Sequence, residues 1–184
     1  MFEVTLFLIS FVVLTAGTVA ILLIGASAIV IFLVGVPFVP TPKKNVTLII
    51  NQLNLKPGEV FYDLGCGDGR FLIEAEKRGA KALGFEISPW AYLRAQINIF
   101  LHHSQAKVLY KNFYHANLKD ADGVFCFLMD AVMPKVEKKL LAELKPGGRI
   151  VCYGFKLPTL TPNTIINLQP NNRNSSSIYL YVKK

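Results

Sequence analysis

The sequence predicts an α/β domain whose mostly parallel sheet is covered by helices on both faces, closed by a C-terminal antiparallel hairpin and preceded by one transmembrane helix. Three observations predict it. From Val60 to Phe155, apolar stretches of strand length alternate with helix-length segments, the pattern of parallel strands joined by crossover helices. A glycine-rich turn, Gly65-Cys66-Gly67-Asp68-Gly69, follows the first strand directly. Val4 to Val36 runs 33 residues without a charged side chain, more than the ~20 apolar residues that cross a bilayer core.

The apolar segment comes first in the chain. As one helix it is ~50 Å long, so it either tilts or lays its last turns at the interface. Ala26-Ser27-Ala28 has the small-x-small form of a cleavage site. No Lys or Arg precedes the run, however, and it continues past that point, which favours an uncleaved anchor over a signal peptide. Residues 1–38 are therefore assigned to the anchor and 39–184 to the α/β domain. Lys43, Lys44 and Lys56 follow the span while Glu3 is the only charge before it, so the positive-inside rule places the domain in the cytoplasm of a single-pass membrane protein. Small residues at Ala16, Gly17, Ala20 and Gly25 permit helix–helix contact without requiring it.

Val39-Pro40-Thr41-Pro42 is a stiff, extended exit from the membrane. A short helix over Lys43–Leu53 precedes Lys56-Pro57-Gly58, and Val60–Leu64 is the first strand. Gly69–Arg78 forms a helix capped by Gly79, and Lys81–Ile87 the second strand. Ser88-Pro89 supplies an N-cap and a first-turn proline for a helix through Leu101. Ala106–Tyr110, Gly123–Met129 and Arg149–Phe155 are further strands, with a helix from Val132 to Leu144 between the last two. Thr164–Leu168 and Ser177–Val182 form the closing hairpin.

Composition narrows the function. Hydrophobic residues make up 52% of the 184-residue chain and charged residues 17%, too apolar for disorder. Three widely spaced cysteines exclude a disulfide scaffold or zinc site, and suit a reducing compartment. His102, His103 and His115 show no metal-ligand spacing either. Residues 43–184 hold all 20 Lys and Arg against 11 Asp and Glu, a formal +9. Lys135, Lys138 and Lys139 lie along one helix among apolar residues, with no basic-aromatic stripe for a nucleic acid. Anionic headgroups beside an anchor account for such basicity.

The chemistry concentrates in Asp63-Leu64-Gly65-Cys66-Gly67-Asp68-Gly69-Arg70. Gly65, Gly67 and Gly69 let the backbone turn sharply and approach a ligand at a strand's carboxyl end. The third glycine comes one position early for a dinucleotide fingerprint, and no Gly-Lys-Ser/Thr of a phosphate loop is present. Asp63 and Asp68 put negative charge where a pyrophosphate would lie. Two like charges ~4 Å apart repel by ~4 kcal/mol at an effective dielectric near 20, whereas an ammonium or sulfonium group benefits from the same carboxylates. Glu86, at the end of the second strand, is placed to accept ribose hydroxyls. Asn112 and Phe113, just past the third strand, are candidates for polar and stacking contacts with an adenine; an ordinary turn and a core aromatic are equally consistent with them.

This set resembles the class I S-adenosylmethionine-dependent methyltransferases, on the loop at 63–69, Gly84-Phe85-Glu86, and Leu144-Lys145-Pro146-Gly147-Gly148-Arg149. A closer likeness lies in Pro37-Phe38-Val39-Pro40-Thr41, Asp63 to Arg70, Glu86-Ile87-Ser88-Pro89-Trp90 and Leu157-Pro158-Thr159. These stretches resemble the small membrane-anchored protein lysine methyltransferases that modify the ATP synthase c-subunit and the adenine nucleotide translocase. The resemblance implies a minimal Rossmann-like methyltransferase sheet and S-adenosyl-L-methionine as cofactor. It implies a site containing Thr41, Asp63, Gly65, Cys66, Gly67, Asp68, Gly69, Glu86, Asn112 and Phe113, and a lysine acceptor in a membrane protein. Asp130 departs from the family pattern. It is a candidate to take the proton of the substrate lysine, with the N-cap of the helix near Val132 as the alternative. Phe155 and Trp90 are candidates for a lysine channel, or for cleft aromatics. A small lipophilic acceptor such as a quinone or lipid, or a non-catalytic cofactor-binding adaptor, remains the competing reading.

Overall fold

A computed structural model describes residues 2–34, 41–168 and 176–184. The anchor–domain boundary at residue 38, the Pro37–Pro40 stretch and the hairpin turn at 171–175 lie outside the described residues. Helix α1 (Phe2–Val34) is followed by α2 (Lys43–Gln52), β1 (Val60–Leu64), α3 (Arg70–Glu76), β2 (Lys81–Glu86), α4 (Pro89–Leu101) and β3 (Lys107–Tyr110). Then come β4 (Gly123–Cys126), α5 (Met133–Glu143), β5 (Arg149–Tyr153), β6 (Thr164–Asn167) and β7 (Ser177–Val182). Short 3-10 turns lie at Phe113–His115 and Asp130–Val132.

The strand order is β3-β2-β1-β4-β5-β7-β6, with β1 to β5 parallel. The expected hairpin is antiparallel, and its second strand, β7, inserts between β5 and β6. Alternation along the strands divides the core in two. Phe61 and Phe125 face a layer with Ile49, Ile50, Phe71, Leu72 and Ala95, from α2, α3 and α4. Tyr62, Val124 and Cys126 face the opposite layer with Met133, Val136 and Leu140 of α5. A sheet buried on both faces explains why the central strands read as nearly unbroken apolar runs.

Two strands end before their apolar runs do. β4 stops at Cys126 rather than Met129, because the last residue beside it on β1 is Leu64. β5 stops at Tyr153, where Gly154 turns at φ 84° and its N–H bonds to Ser177. Helix α3 begins one residue later than expected, with Gly69 as its left-handed N-cap.

Helix α1 includes an apolar stretch over Phe2–Val30 with mean hydropathy 2.7. Its far end docks on the domain. Ser27 is 6% exposed, accepts the N–H of Trp90 at 3.0 Å, and donates to Leu23 O at 2.8 Å. It thereby satisfies one of the amides that the start of α4 leaves without a helical partner.

Candidate functional site

The carboxyl ends of β1, β2 and β4 open on one edge of the sheet, and the loops leaving them gather the predicted residues. Gly65 and Gly69 hold φ of 84° and 76°, values that only glycine adopts without strain. The turn they make spends its amides internally. Gly65 N and Cys66 N donate to Phe85 O at 2.9 and 3.0 Å, and Gly69 N donates to Cys66 O at 2.9 Å. Gly67 N donates to Glu86 Oε2 at 2.9 Å. These N–H groups do not converge on a phosphate, as an anion-binding nest would require.

Asp63, near the end of β1, is 1% exposed and neither carboxylate oxygen has a hydrogen-bond partner. Burial, followed by the charges of Glu86 and Asp68, pushes its carboxyl well above the ordinary carboxylate range. A buried carboxylate without a partner is costly, and a cationic group placed against it supplies what the protein does not. Glu86 is 8% exposed. It accepts N–H groups from Gly67 at 2.9 Å and from Ile87 and Ser88 at 2.8 Å each. Burial raises its pKa while those donors oppose the shift. A carboxylate has about four acceptor positions, so Glu86 retains capacity for a further donor.

Asp68 behaves differently from its neighbour. Although burial pushes its pKa up, Arg70 holds it below the ordinary value. Arg70 Nε lies 2.8 Å from Oδ1 and Nη2 lies 2.5 Å from Oδ2, with Arg94 3.8 Å away. The sequence-based expectation that Asp68 turns its charge on the ligand is therefore corrected: the charge is met within the protein. Arg70 Nη1 also donates to the carbonyl of Thr41, which is 3% exposed. The backbone at Thr41, just before α2, is thus tied to the glycine-rich loop. That role was missed in the sequence, since Arg70 was read only as part of the motif.

Cys66 packs into the protein, and burial, with Asp63 and Glu86 nearby, pushes its thiol well above the usual range. It stands so close to β2 that a Cβ on Gly84 would come within 2.6 Å of its Sγ. Asn112 accepts the Tyr114 N–H at 3.0 Å, so its carbonyl oxygen caps the turn beside β2. Phe113 is half-buried, its ring 4.3 Å from that of Tyr114 and tilted 43° to it; the buried Tyr114 hydroxyl has no partner. Tyr114 carried no sequence signal beyond following Asn112.

Asp130 is exposed and opens the 3-10 turn beyond β4. Val132 occupies the N-cap of α5 without a side-chain bond, so the capping alternative for Asp130 is not what the structure shows. Phe155 is 38% exposed and Trp90 is half-buried. Glu137, 4% exposed, accepts the N–H groups of Thr159 and Leu160 and the Thr159 hydroxyl at 2.8–3.1 Å. It fixes the Leu157-Pro158-Thr159 segment. Only placement in space reveals that tie.

The site is built for a small cationic molecule with hydrogen-bond donors near Glu86, and comparison with known proteins agrees. The family model of the ANTKMT methyltransferase domain matches residues 63–164. A protein-lysine N-methyltransferase of Saccharolobus islandicus is 36% identical over 151 residues, covering 80% of this chain and 93% of the relative. The mouse (Mus musculus) adenine nucleotide translocase lysine N-methyltransferase is 34% identical over 134 residues, covering 71% of this chain. This chain spans only 58% of the mouse protein's length. The crystal structure of an RNA methyltransferase from Salinibacter ruber, in complex with S-adenosyl-L-homocysteine, aligns with a TM-score of 0.73 and 27% identity. That alignment covers 78% of this chain and 93% of the other.

Proposed function

The chain belongs to the ANTKMT methyltransferase-domain family and is an S-adenosylmethionine-dependent methyltransferase; we propose that its acceptor is a lysine side chain of a membrane protein. The observation that carries this reading is Asp63, a buried carboxylate without a partner at the foot of the glycine-rich turn. S-adenosylmethionine has the ammonium and sulfonium charges that such a group lacks, and ribose hydroxyls for Glu86. Thr41, the glycine-rich turn from Gly65 to Gly69, Asn112 and Phe113 complete the proposed binding site. Both lysine methyltransferase relatives support the acceptor class, and the translocase named for the mouse relative supports a membrane-embedded target.

When bound, the cofactor supplies an electrophilic methyl group on a sulfonium. The work left to the chain is to orient the acceptor and to keep its nitrogen neutral. A lysine with an ordinary pKa of ~10.4 arrives protonated. Asp130, exposed on the same edge as the Asp63 site, is proposed to accept that proton. Phe155 and Trp90 are proposed to receive the methylene stem of the lysine. Orientation is the larger contribution, since positioned reactants gain ~7–11 kcal/mol over free ones.

Helix α1 is proposed as a single membrane span, with residues 1–38 as anchor and the catalytic domain on the cytoplasmic side. Its length and hydropathy support this, as do the lysines that follow it. Anchoring raises the effective concentration of a membrane-embedded acceptor. The test is transfer of labelled methyl from S-adenosylmethionine into membranes depleted of this protein, with Asp63→Ala as control. Label in a discrete protein band, recovered as methyl-lysine, is the expected result. Label in the organic extract would replace the lysine acceptor with a lipid or quinone.

A further inference from the structure

We infer that the outward face of α4, together with the neighbouring edge strand β3, lies against the bilayer surface beside the point where α1 emerges. This rests on reading α1 as the membrane span. Helix α4 is apolar on two opposite sides. Ala91, Ala95 and Ile99 are buried against the sheet, whereas Leu93, Ile97, Phe100 and Leu101 are 37%, 49%, 76% and 63% exposed. The second set falls at i, i+4, i+7 and i+8, one continuous stripe. Beside it, on the outermost strand, Tyr110 is 56% exposed and touches Tyr92 of α4 at 5.4 Å. Neighbouring exposed apolar side chains of this kind mark an interaction surface.

Two observations identify the occupant. First, the patch is tied to the anchor through Ser27 and the N–H of Trp90 at 3.0 Å. Counted from Phe2, the ~20 residues that fill a hydrocarbon core end near Ile21, which puts Ser27 ~9 Å beyond it, toward the headgroups. The start of α4 is therefore held at the depth where amphipathic helices lie in a membrane surface. Secondly, the charge is one-sided. From Ile87 to Lys119 the chain contains no Asp or Glu, but has Lys107, Lys111 and Lys119 and all three histidines of the protein, besides Arg94, which lies 3.8 Å from Asp68. An apolar stripe within a segment whose charges are all basic matches an anionic lipid surface.

The full-length protein, reconstituted in nanodiscs of phosphatidylcholine and phosphatidylglycerol, provides the test. Single cysteines are introduced by Ile97→Cys, Phe100→Cys, Lys138→Cys or Phe11→Cys and labelled with a fluorophore. The native Cys66, Cys126 and Cys152 are buried and stay unlabelled in the folded protein. Lipids carrying nitroxides at shallow or deep positions then report contact with the bilayer. Deep quenching at position 11, with shallow quenching at 97 and 100 at least about twofold stronger than at 138, is expected for a span with an interfacial helix. Position 138 lies on α5, which covers the other face of the sheet. Quenching at 11 with none at 97 and 100 overturns the surface contact and leaves the span intact. No quenching at 11 removes the span, and the inference with it. Positions 97 and 100 protected from aqueous iodide yet untouched by lipid nitroxides would mean that a protein covers this face, which also overturns the proposal.

Discussion

Asp63→Asn tests the centre of the site, because it removes the charge of the buried carboxylate while keeping its volume. A cationic group ~4 Å from an ionised carboxylate gains ~4 kcal/mol at an effective dielectric near 20. Because burial raises the pKa of Asp63, ionising it inside the protein costs part of that gain. A net loss of ~1.5–3 kcal/mol, the range for a hydrogen bond to a charged group, is left. That corresponds to a Kd for S-adenosylmethionine weakened about 10- to 100-fold, measured by isothermal titration calorimetry. The pH dependence has a definite sign. The folded pKa of Asp63 is raised above its ordinary 3.8, so its contribution to stability is intact below that value and is lost as pH rises toward the folded pKa. The parent without cofactor therefore loses stability with rising pH, while Asp63→Asn is spared that term and its Tm gains on the parent. Cofactor binding displaces the proton, so parent affinity strengthens as pH rises through this window and the heat varies with the buffer's ionisation enthalpy. A folded Asp63→Asn protein binding S-adenosylmethionine within about twofold of the parent would refute the electrostatic reasoning.

The other predictions address the supports of the site. Arg70→Gln removes the bidentate partner of Asp68 and the donor to Thr41; cofactor binding should weaken about tenfold, and trypsin should cut faster at Lys43 and Lys44. Gly84→Ala brings a Cβ within 2.6 Å of Cys66 Sγ and 2.7 Å of Leu72 Cδ1, so urea denaturation should show a loss of about 1–3 kcal/mol. Glu137→Gln leaves the donors of Thr159 and Leu160 with one acceptor in place of a carboxylate, a loss of about 1–3 kcal/mol in the same assay. Asp130→Asn should lower kcat about 10- to 100-fold with cofactor Kd unchanged, and parent activity should return as pH is raised to neutralise the lysine without help.

Much of the architecture was legible because two signals agree. The period of the apolar residues located every strand and helix of the sheet, and Ser88-Pro89 marked the start of α4 to the residue, with Ser88 accepting the Ala91 N–H at 3.4 Å. Where the signals misled, the cause was non-local. Phe127 to Met129 continue an apolar run, but pairing with β1 ends at Cys126, and no local pattern reports where a neighbouring strand stops. Asp63 and Glu86 stand near the strand ends where the sequence put them, because each closes a short apolar strand ahead of a turn. Asp68 was misread as free charge because its partner Arg70, two residues on, was read only as the end of the motif. Glu137 and Tyr114 could not be found at all, since their significance arises from Thr159 and from burial rather than from spacing.

The contacts made by Ser27 and Arg70 acquire a common meaning once the anchor is considered together with the pocket. Ser27 binds the first turn of α4, which follows Glu86 by four residues at Trp90. Arg70 binds Thr41, at the end of the segment that leaves α1, while holding Asp68 in the glycine-rich turn. Helix α1 thus touches the loop after β2 through Trp90, while Thr41 of the domain is tied to the loop after β1 through Arg70. A flexible tether would give only local concentration, with a domain free to rotate about its linker. The Ser27 contact instead ties α1 directly to the first turn of α4, four residues past Glu86. Displacing α1 from α4 should then weaken cofactor binding as well as change where the enzyme sits. Ser27→Val, which keeps the bulk but removes the acceptor for Trp90, separates the two models. Retained membrane association with a severalfold weaker cofactor Kd fits the coupled anchor, and an unchanged Kd would reduce α1 to a tether.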